Sequence, residues 1–272
     1  MKIIKLNNIN ISNSLPFILI AGPCVIEKRD HAMKIAESIK TICEETNINF
    51  IFKSSFDKAN RTNLNSSRGV GLNSALNIFE EIKKQLNCSI LTDVHTAEQC
   101  QEMSDVVDII QIPAFLCRQT DLLLSAGRTN KIINVKKGQF ISPYEIPNII
   151  EKISSTKNEK IMITERGTSF GYNNLINDFK GIEIIKKNKF PIIFDATHSV
   201  QEPGGLGSKS GGNREFIPTL SKAAISIGIA GLFIETHDDP DKAPSDGPNM
   251  LKIDHLKNLL IKLKEFDNIA KQ

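Results

Sequence analysis

The chain is 272 residues long, which is enough for one α/β barrel or for two smaller domains. A hydrophobic content of 40% with 24% charged residues excludes an intrinsically disordered protein. The net charge is only +3 and no block of Lys and Arg is present, so nucleic acid is not expected as a partner and any basic site must be local.

Cysteine usage and hydropathy predict a protein of a reducing compartment. The five cysteines are odd in number and form no Cys-x-x-Cys pair, which argues against a disulfide framework. No apolar run approaches the roughly 18 residues of a membrane helix, and no signal-peptide-like segment opens the sequence. We therefore expect a cytoplasmic location and no membrane partner.

Short apolar runs recur along the chain after a polar hairpin predicted over residues 1–16. They are continuous rather than alternating, which is typical of parallel strands covered on both faces. The eight runs are 17–20, 50–52, 90–91, 109–112, 132–135, 161–163, 192–194 and 232–234. Segments of helical periodicity lie between or after them, among them 32–43, 75–86, 214–227 and 253–266.

Eight strands alternating with helices predict an α/β fold of the (β/α)8 TIM-barrel class, with a short N-terminal β-hairpin and a single domain over residues 1–272. A doubly wound open sheet is the alternative. Against it, the first predicted strand is followed by Ala-Gly-Pro-Cys at 21–24 instead of the Gly-x-Gly-x-x-Gly of a dinucleotide-binding fold.

In a TIM barrel the functional groups gather where the strands end. Polar or ligand-type residues follow all eight predicted strands, whereas the strand starts show no such accumulation. These residues are Cys24 and Glu27; Lys53, Ser55 and Lys58; Asp93 and His95; Gln111; Asn134, Lys136 and Lys137; Glu165 and Arg166; Asp195 and His198; Glu235 and His237.

Cations from three strand ends would converge at this rim. They are Lys53, Lys58, Arg61, Lys136 and Arg166. Like charges brought together cost free energy unless an anion neutralises them, so the set favours a pocket for a phosphorylated substrate. The alternative is that each cation pairs with a neighbouring carboxylate, such as Asp57 or Glu165.

A possible metal site consists of Cys24, His198, Glu235 and Asp246. A thiolate, an imidazole and two carboxylates suit a borderline divalent metal, but the spacing matches no local metal motif. Taken singly, Cys24 is more often a small buried residue than a ligand. The residues alone leave both interpretations open.

Two loops are predicted to act as lids over the barrel mouth. Residues 201–213 are rich in Gly, and residues 237–250 are rich in Asp and Pro. Both leave strand ends that carry candidate site residues, which favours lids over plain surface loops.

Several sequence blocks, in order and over essentially the whole length, resemble the 3-deoxy-D-manno-octulosonate 8-phosphate synthase family. They are 21–24 (AGPC), 52–61 (FKSSFDKANR), 108–121 (DIIQIPAFLCRQTD), 134–140 (NVKKGQF), 164–174 (TERGTSFGYNN), 195–201 (DATHSVQ), and 235–237 (ETH) with Ser245 and Asp246. The resemblance implies a TIM-barrel transferase, usually a cytoplasmic homotetramer. It would condense phosphoenolpyruvate with arabinose 5-phosphate and water, a step that supplies lipopolysaccharide synthesis.

The resemblance also implies site residues. The phosphoenolpyruvate site would comprise Lys53, Ser55, Lys58, Gln111, Lys136 and Arg166. Asn60, Arg61 and Asp93 would contact arabinose 5-phosphate, and Arg118 would reach the sugar phosphate from a neighbouring subunit. Catalytic roles are implied for His198, Asp246 and Lys136.

Cys24 is similar to the cysteine of the metal-dependent branch of this family. That likeness implies a divalent metal (Zn, Fe, Mn or similar) held by Cys24, His198, Glu235 and Asp246. One departure is that two serines often follow the family's arginine, where this chain has Thr62 and Asn63. Thr62 keeps a hydroxyl, so the sugar-phosphate contact is expected to survive.

Two other functions are weighed. The related 3-deoxy-D-arabino-heptulosonate 7-phosphate synthases use erythrose 4-phosphate, but they tend to carry Lys-Pro-Arg where this chain has Lys-Ala-Asn-Arg at 58–61. A non-catalytic phosphosugar-binding barrel is the other alternative; it predicts lost ligands, whereas all the candidate residues are present.

Overall fold

The structure is a computed structural model that describes residues 1–205 and 211–272. Its central feature is a barrel of eight parallel strands. They are β1 (Ile18–Gly22), β2 (Phe50–Lys53), β3 (Ser89–Asp93), β4 (Ile109–Ile112), β5 (Ile132–Lys136), β6 (Ile161–Glu165), β7 (Ile192–Asp195) and β8 (Gly231–His237). Each strand pairs with the next along the chain, and β8 pairs with β1, which closes the barrel and excludes an open sheet.

Helices follow the strands and cover the outside of the barrel. They are α1 (Arg29–Thr46), α2 (Leu72–Leu86), α3 (Ala97–Ser104), α4 (Thr120–Arg128), α5 (Ile146–Ser154), α6 (Phe179–Lys186), α7 (Ala196–Ser199), α8 (Ile217–Ile225) and α9 (Leu256–Ala270). The TIM-barrel prediction is confirmed. In the described ranges, no helix combines the length and the apolar character that a bilayer crossing requires.

The predicted boundaries of the last two helices are slightly wrong. Residues Arg214–Phe216 and Ile253–His255 form 3-10 turns, so α8 and α9 each begin three residues later than predicted. At α8 the Asn213 side chain accepts from the backbone N–H of Glu215, which favours a tight first turn.

Alternate strand residues fill two separate cores. In β1, Ile18 and Ile20 point into the barrel, whereas Leu19 and Ala21 pack against the surrounding helices. All four are buried because the strands are covered on both faces. This explains why the strand sequences are continuous apolar runs.

The predicted N-terminal hairpin is present as two antiparallel strands, Ile4–Leu6 and Ile9–Ile11. Its apolar side chains join the inner core of the barrel. Asn13, just after it, donates to the carbonyl of Phe190 and accepts from the N–H of Ile192 at the start of β7. The hairpin therefore plugs the amino-terminal end of the barrel and leaves the carboxyl end for a site.

The two predicted lids leave this carboxyl end. In the first, Gln201–Glu202 pairs with Gly211–Gly212, and residues 206–210 lie outside the described residues. The second contains the 3-10 turns Pro240–Lys242 and Gly247–Asn249. That either segment acts as a lid stays a prediction.

Candidate active site

The four candidate metal ligands lie together at the carboxyl end of the barrel. Cys24 Sγ donates to Asp246 Oδ2 over 3.0 Å. Ligand atoms of Cys24, Glu235 and Asp246 all lie within 4.8 Å of one another. His198 Nε2 faces the same group, 3.9 Å from Glu235 Oε2 and 4.0 Å from Asp246 Oδ2. Residues from opposite ends of the sequence thus form one cluster.

The closure of the barrel explains why these residues lie close together. The β1–β8 register places Glu235 opposite Gly22, two residues before Cys24. His198 lies in α7, directly after β7, the other neighbour of β8. The cluster is thus a consequence of strand order.

The electrostatics of the cluster hold the Cys24 thiol and the Asp246 carboxyl in different protonation states. Burial, and then the nearby Asp246 and Glu235, raise the pKa of the Cys24 thiol well above its usual value. Burial would also raise the pKa of Asp246, but His198 and Lys58 outweigh it and lower this pKa to about 2. The protonated thiol therefore donates to an ionised carboxylate.

The donor set fits a divalent cation. Glu235 is buried, and within residues 1–205 and 211–272 its Oε2 atom finds no hydrogen-bond partner. A buried carboxylate oxygen without a partner is costly, and a cation would satisfy it. Asp246 also has the left-handed backbone conformation, with φ of 51°, a strain that tends to accumulate at functional sites.

Asp195 links the possible metal ligands to the cationic side of the mouth. Its Oδ2 lies 2.7 Å from His198 Nδ1 and forms an ion pair with Lys136. Its Oδ1 accepts from the backbone N–H of His198 over 2.9 Å. The sequence places Asp195 at a strand end but does not indicate that it joins the possible metal ligands to the cations.

Two buried lysines pair with two different carboxylates of this group. Lys53 Nζ donates to Glu235 Oε1 over 2.5 Å, and Lys136 pairs with Asp195. Lys136 Nζ also lies 3.2 Å from the ring centroid of Phe233, and Lys53 Nζ lies 5.3 Å from it. The aromatic face stabilises two cations that burial would otherwise penalise.

Arg166 is a buried cation without a carboxylate partner among the described residues. It is only 5% exposed, and among the described residues its Nη1 atom finds no hydrogen-bond partner. Its Nη2 donates to Gln201 Oε1 over 3.0 Å, and Gln201 Nε2 donates to Asp246 Oδ1 over 3.2 Å. Gln201 thus joins the arginine to the possible metal ligands, a role that the sequence did not indicate.

The alternative, that each cation pairs with a carboxylate, holds for Lys53 and Lys136, which pair with Glu235 and Asp195. It does not hold for Arg166 among the described residues, because the two carboxylates named in that alternative have other partners. Asp57 pairs with Arg68, and Glu165 lies 3.4 Å from Lys137 Nζ. Glu165 Oε1 also accepts the backbone N–H groups of Arg166 and Gly167. Glu165 therefore does not neutralise the guanidinium of Arg166 by a direct ion pair.

Polar side chains continue around the rim on the β3 side. Ser55 Oγ donates to Asp93 Oδ1 over 2.5 Å, and His95 Nε2 lies 3.0 Å from Asp93 Oδ2. The sequence places His95 at this strand end but does not indicate its contact with Asp93. Burial would lower the pKa of Lys58, but the acidic groups around it, including Cys24 and Asp93, raise it.

A row of hydrogen-bonded polar side chains crosses β4, β5 and β6. Gln111 Oε1 accepts from Asn134 Nδ2 over 3.0 Å, and Asn134 Oδ1 accepts from Thr164 Oγ1 over 2.7 Å. All three side chains are buried. These hydrogen bonds fix the orientation of the Gln111 amide at the barrel mouth.

Three predicted sugar-phosphate residues lie farther out. Arg61 donates to Ser245 Oγ over 2.8 Å and to the carbonyl of Pro244 over 2.9 Å, so it contacts the segment that carries Asp246. Asn60 is exposed. Arg118 is exposed on the outer surface, where it lines a groove with residues of α5, so the structure does not bring it together with the other site residues of its own chain.

Comparison with known proteins gives full-length matches. The model of the DAHP synthetase I family matches residues 1–272. The chain is 57% identical over 270 residues to the 2-dehydro-3-deoxyphosphooctonate aldolase of Bartonella henselae, covering 99% of this chain and 97% of the relative.

Two further relatives carry the same name. The protein of Rickettsia typhi is 54% identical over 271 residues, covering 100% of this chain and 99% of the relative. The protein of Brucella ovis is 54% identical over 268 residues, covering 98% of this chain and 97% of the relative. The chain belongs to the DAHP synthetase I family, and within it to the group of 2-dehydro-3-deoxyphosphooctonate aldolases.

Proposed function

We propose that this enzyme condenses phosphoenolpyruvate with D-arabinose 5-phosphate and water to give 3-deoxy-D-manno-octulosonate 8-phosphate and inorganic phosphate. 2-Dehydro-3-deoxyoctonate 8-phosphate is another name for that product, so the names of the relatives support the proposal. The structural observation that carries it is the buried Arg166, whose guanidinium lacks a carboxylate partner among the described residues and is joined through Gln201 to Asp246 of the candidate metal site.

Phosphoenolpyruvate provides the anion that this arrangement lacks. Arg166 offers a planar pair of N–H donors for its phosphate or carboxylate. Lys53 and Lys136 are held by Glu235 and Asp195, so their positions are fixed before the substrate arrives. Such preorganisation lowers the barrier by orienting the enol methylene carbon.

Arabinose 5-phosphate is assigned to the neighbouring part of the rim. Asp93 lies at the end of β3, hydrogen-bonded to Ser55 of the phosphoenolpyruvate set, and Asn60 and Arg61 lie farther out, where a phosphate at the far end of a pentose would reach. Burial would raise the pKa of Asp93, but His95 and Lys58 hold it well below its usual value. Asp93 therefore stays ionised and can accept hydrogen bonds from sugar hydroxyls.

The divalent metal is assigned to Cys24, His198, Glu235 and Asp246. When bound, such an ion polarises a carbonyl oxygen or lowers the pKa of a water molecule. Binding would require the Cys24 thiol to lose the proton that it donates to Asp246. It would also supply the partner that Glu235 Oε2 lacks among the described residues.

In the reaction, the methylene carbon of the enol bonds to the aldehyde carbon, and the aldehyde oxygen takes up a proton. Water then adds to the carbon that carries the phosphate ester, and the carbon–oxygen bond to phosphate breaks. The overall change consumes one water molecule and releases phosphate.

We assign the role of proton donor to Lys136, which forms a buried ion pair with Asp195. Burial lowers its pKa to about 8, against the opposing effect of Asp195, so it is protonated at neutral pH yet can release its proton. His198 has Nδ1 at Asp195 and Nε2 at the acidic cluster, which suits a ligand better than a proton carrier. Asp246, with a pKa of about 2, stays ionised and can accept a hydrogen bond from the attacking water.

Phosphate release from phosphoenolpyruvate, measured with and without aldose in the presence of Zn²⁺ or Mn²⁺, tests this assignment. We expect release only when an aldose is present, with kcat/KM roughly tenfold or more higher for arabinose 5-phosphate than for erythrose 4-phosphate. A preference for erythrose 4-phosphate would instead indicate a heptulosonate synthase. No release with either aldose would indicate a binding protein.

Arg166→Lys is the variant that connects the assay to the site. It keeps the charge but loses the paired donors, so KM for phosphoenolpyruvate should rise while KM for the aldose changes little. Arg214→Lys, in which the arginine pairs with Asp241 outside the cluster, is the matched control. Equal KM values for phosphoenolpyruvate in both variants would contradict the assignment of Arg166.

The exposed position of Arg118 supports one further part of the proposal, a homotetramer in which this residue reaches the sugar phosphate of a neighbouring subunit. Arg118→Ala should then raise KM for arabinose 5-phosphate. In mixed oligomers, the effect should appear at the sites of neighbouring wild-type subunits.

A further inference from the structure

A second cluster of ligand-type side chains lies apart from the four candidate metal ligands. It contains Glu27, after β1, His31, in the first turn of α1, and His237, at the end of β8. His237 Nε2 lies 2.8 Å from Glu27 Oε1, and His31 Nδ1 lies 3.9 Å from the same oxygen. One ligand atom of each residue lies within 4.8 Å of the other two.

The proposed reaction uses none of these three side chains. Within the described part of the chain, His31 Nδ1 is buried and has no hydrogen-bond partner. The two imidazole rings lie 4.6 Å apart between centroids, so the unpartnered nitrogen belongs to a histidine pair and not to an isolated core residue. A buried ring nitrogen without a partner costs free energy, which a ligand would recover.

We propose that Glu27, His31 and His237 bind a second divalent cation of the zinc type. Two imidazoles and one carboxylate form a common three-residue set for zinc, with a fourth position left for water. The ligand atoms would be the Glu27 carboxylate, His31 Nδ1 and His237 Nε2. Ligand atoms around a tetrahedral zinc ion lie about 3.4 Å apart. His31 Nδ1 would therefore move closer to Glu27 and the His237–Glu27 pair would open, each by about half an ångström.

The surroundings can accommodate the proton changes that binding requires. The backbone N–H of Asp239 donates to His237 Nδ1, which places the ring proton on Nε2, facing Glu27. On binding, that proton would move to Nδ1, 3.2 Å from Asp238 Oδ1. The Asp239 N–H could then no longer donate to Nδ1 and would turn to Asp238 Oδ1, from which it already lies 3.2 Å.

The Asp238 carboxylate also orients His31. Asp238 Oδ1 lies 3.2 Å from His31 Nε2, so Nε2–H can donate to it and leave the Nδ1 lone pair free. This is the carboxylate–histidine–metal arrangement that is common around bound zinc. The side chains of His31 and Glu27 are 18% and 28% exposed, so an ion can reach them from solvent.

A cation at this position would link the start of α1 to the end of β8. The segment that carries Asp246 leaves β8 at this point. The second ion would therefore have a structural role, anchoring the base of the segment that completes the first cluster.

Metal content per chain tests the proposal. The wild-type chain, loaded with Zn²⁺ and desalted, should hold one ion more than His31→Asn and one more than Cys24→Ser, and the double variant should hold none. His255→Asn, a substitution of an exposed histidine outside the cluster, should match the wild type. Equal zinc content in His31→Asn and the wild type would overturn the proposal.

Cobalt substitution separates the two sites. In Cys24→Ser, Co²⁺ should show ligand-field absorption from nitrogen and oxygen ligands without a thiolate charge-transfer band; in His31→Asn the thiolate band should remain. Glu27→Gln, which keeps the shape of the side chain, is a second variant in case His31→Asn does not fold, and it should also lose one ion. Because the readout is metal content, the result does not depend on the proposed reaction.

Discussion

His198 Nδ1 lies 2.7 Å from Asp195 Oδ2, and the backbone N–H of His198 donates to Asp195 Oδ1 over 2.9 Å. One buried carboxylate thus fixes both the backbone and the ring of a candidate metal ligand. The interaction directs the other ring nitrogen, Nε2, toward Glu235 and Asp246. A histidine held in this way is a stronger and better oriented ligand.

Asp195→Asn should therefore weaken metal binding by about 10- to 100-fold. The amide can still accept from the backbone N–H, so α7 should form, but the negative charge near His198 and Lys136 is lost. Competition with a chelator of known affinity measures the effect. Asp178→Asn is the matched control, because Asp178 accepts from the backbone N–H of Lys180 at the start of α6 and has no histidine partner among the described residues.

The pKa of Lys136 predicts a pH dependence of phosphoenolpyruvate binding. Burial lowers this pKa to about 8, although Asp195 acts in the opposite direction. If the protonated amine binds the substrate anion, KM for phosphoenolpyruvate should be constant below pH 8 and rise above it, by up to about tenfold per pH unit. Lys136→Arg should flatten this rise, since a guanidinium stays protonated. The same rise in both proteins would assign it to another group.

Lys136 also makes the free energy of unfolding depend on pH. A lysine in the unfolded chain keeps its proton up to a pH of about 10.4. Between pH 8 and that value, unfolding would take up a proton at Lys136, so this group makes the free energy of unfolding increase with pH. Denaturant titrations of the wild type and Lys136→Met over this range should differ in slope, with the steeper rise in the wild type.

Metal removal is expected to abolish the condensation. Chelator-treated protein should lose activity and regain it on addition of Mn²⁺ or Zn²⁺. Cys24→Ser should lower zinc affinity, because the thiolate is the softest of the four ligands. Cys43→Ser, at a buried cysteine of α1, is the control for a general cost of changing a thiol. Full activity of the wild type in excess chelator would contradict the metal assignment.

The barrel could be predicted from the sequence because its strands are covered on both faces. The strand 192–194, for example, has buried side chains on the inner and the outer face, and its sequence is therefore continuously apolar. The hairpin was predictable from its polar, alternating residues. The prediction of a barrel, of the hairpin and of family membership is confirmed.

The contacts within the site could be predicted only in part. The strand-end rule and the sequence blocks place Cys24, His198 and Arg166 at one rim, but they do not say which carboxylate faces which cation. Gln201 and Phe233 were missed because their roles depend on tertiary distances. Nothing in the spacing of Gln201 indicates that it joins Arg166 to Asp246.

Gly22 lies where β1 approaches β2 too closely for a side chain. A Cβ atom added to Gly22 would lie 1.9 Å from the backbone oxygen of Lys53, and a backbone atom cannot move away as a flexible side chain can. Gly22→Ala should therefore lower the free energy of unfolding by about 3 kcal/mol or more. It should also displace Lys53 and so raise KM for phosphoenolpyruvate.

Gly171→Ala separates this steric effect from a backbone effect. Gly171 has a φ of 80°, but a Cβ there would meet no heavy atom of the described residues within 4 Å. Its cost should be only about 1 kcal/mol, from the left-handed conformation, with no change in KM for phosphoenolpyruvate. Denaturant unfolding of both variants gives the comparison. A Gly22→Ala protein as stable as Gly171→Ala would show that β1 and β2 are not in the tight contact on which the position of Lys53 depends.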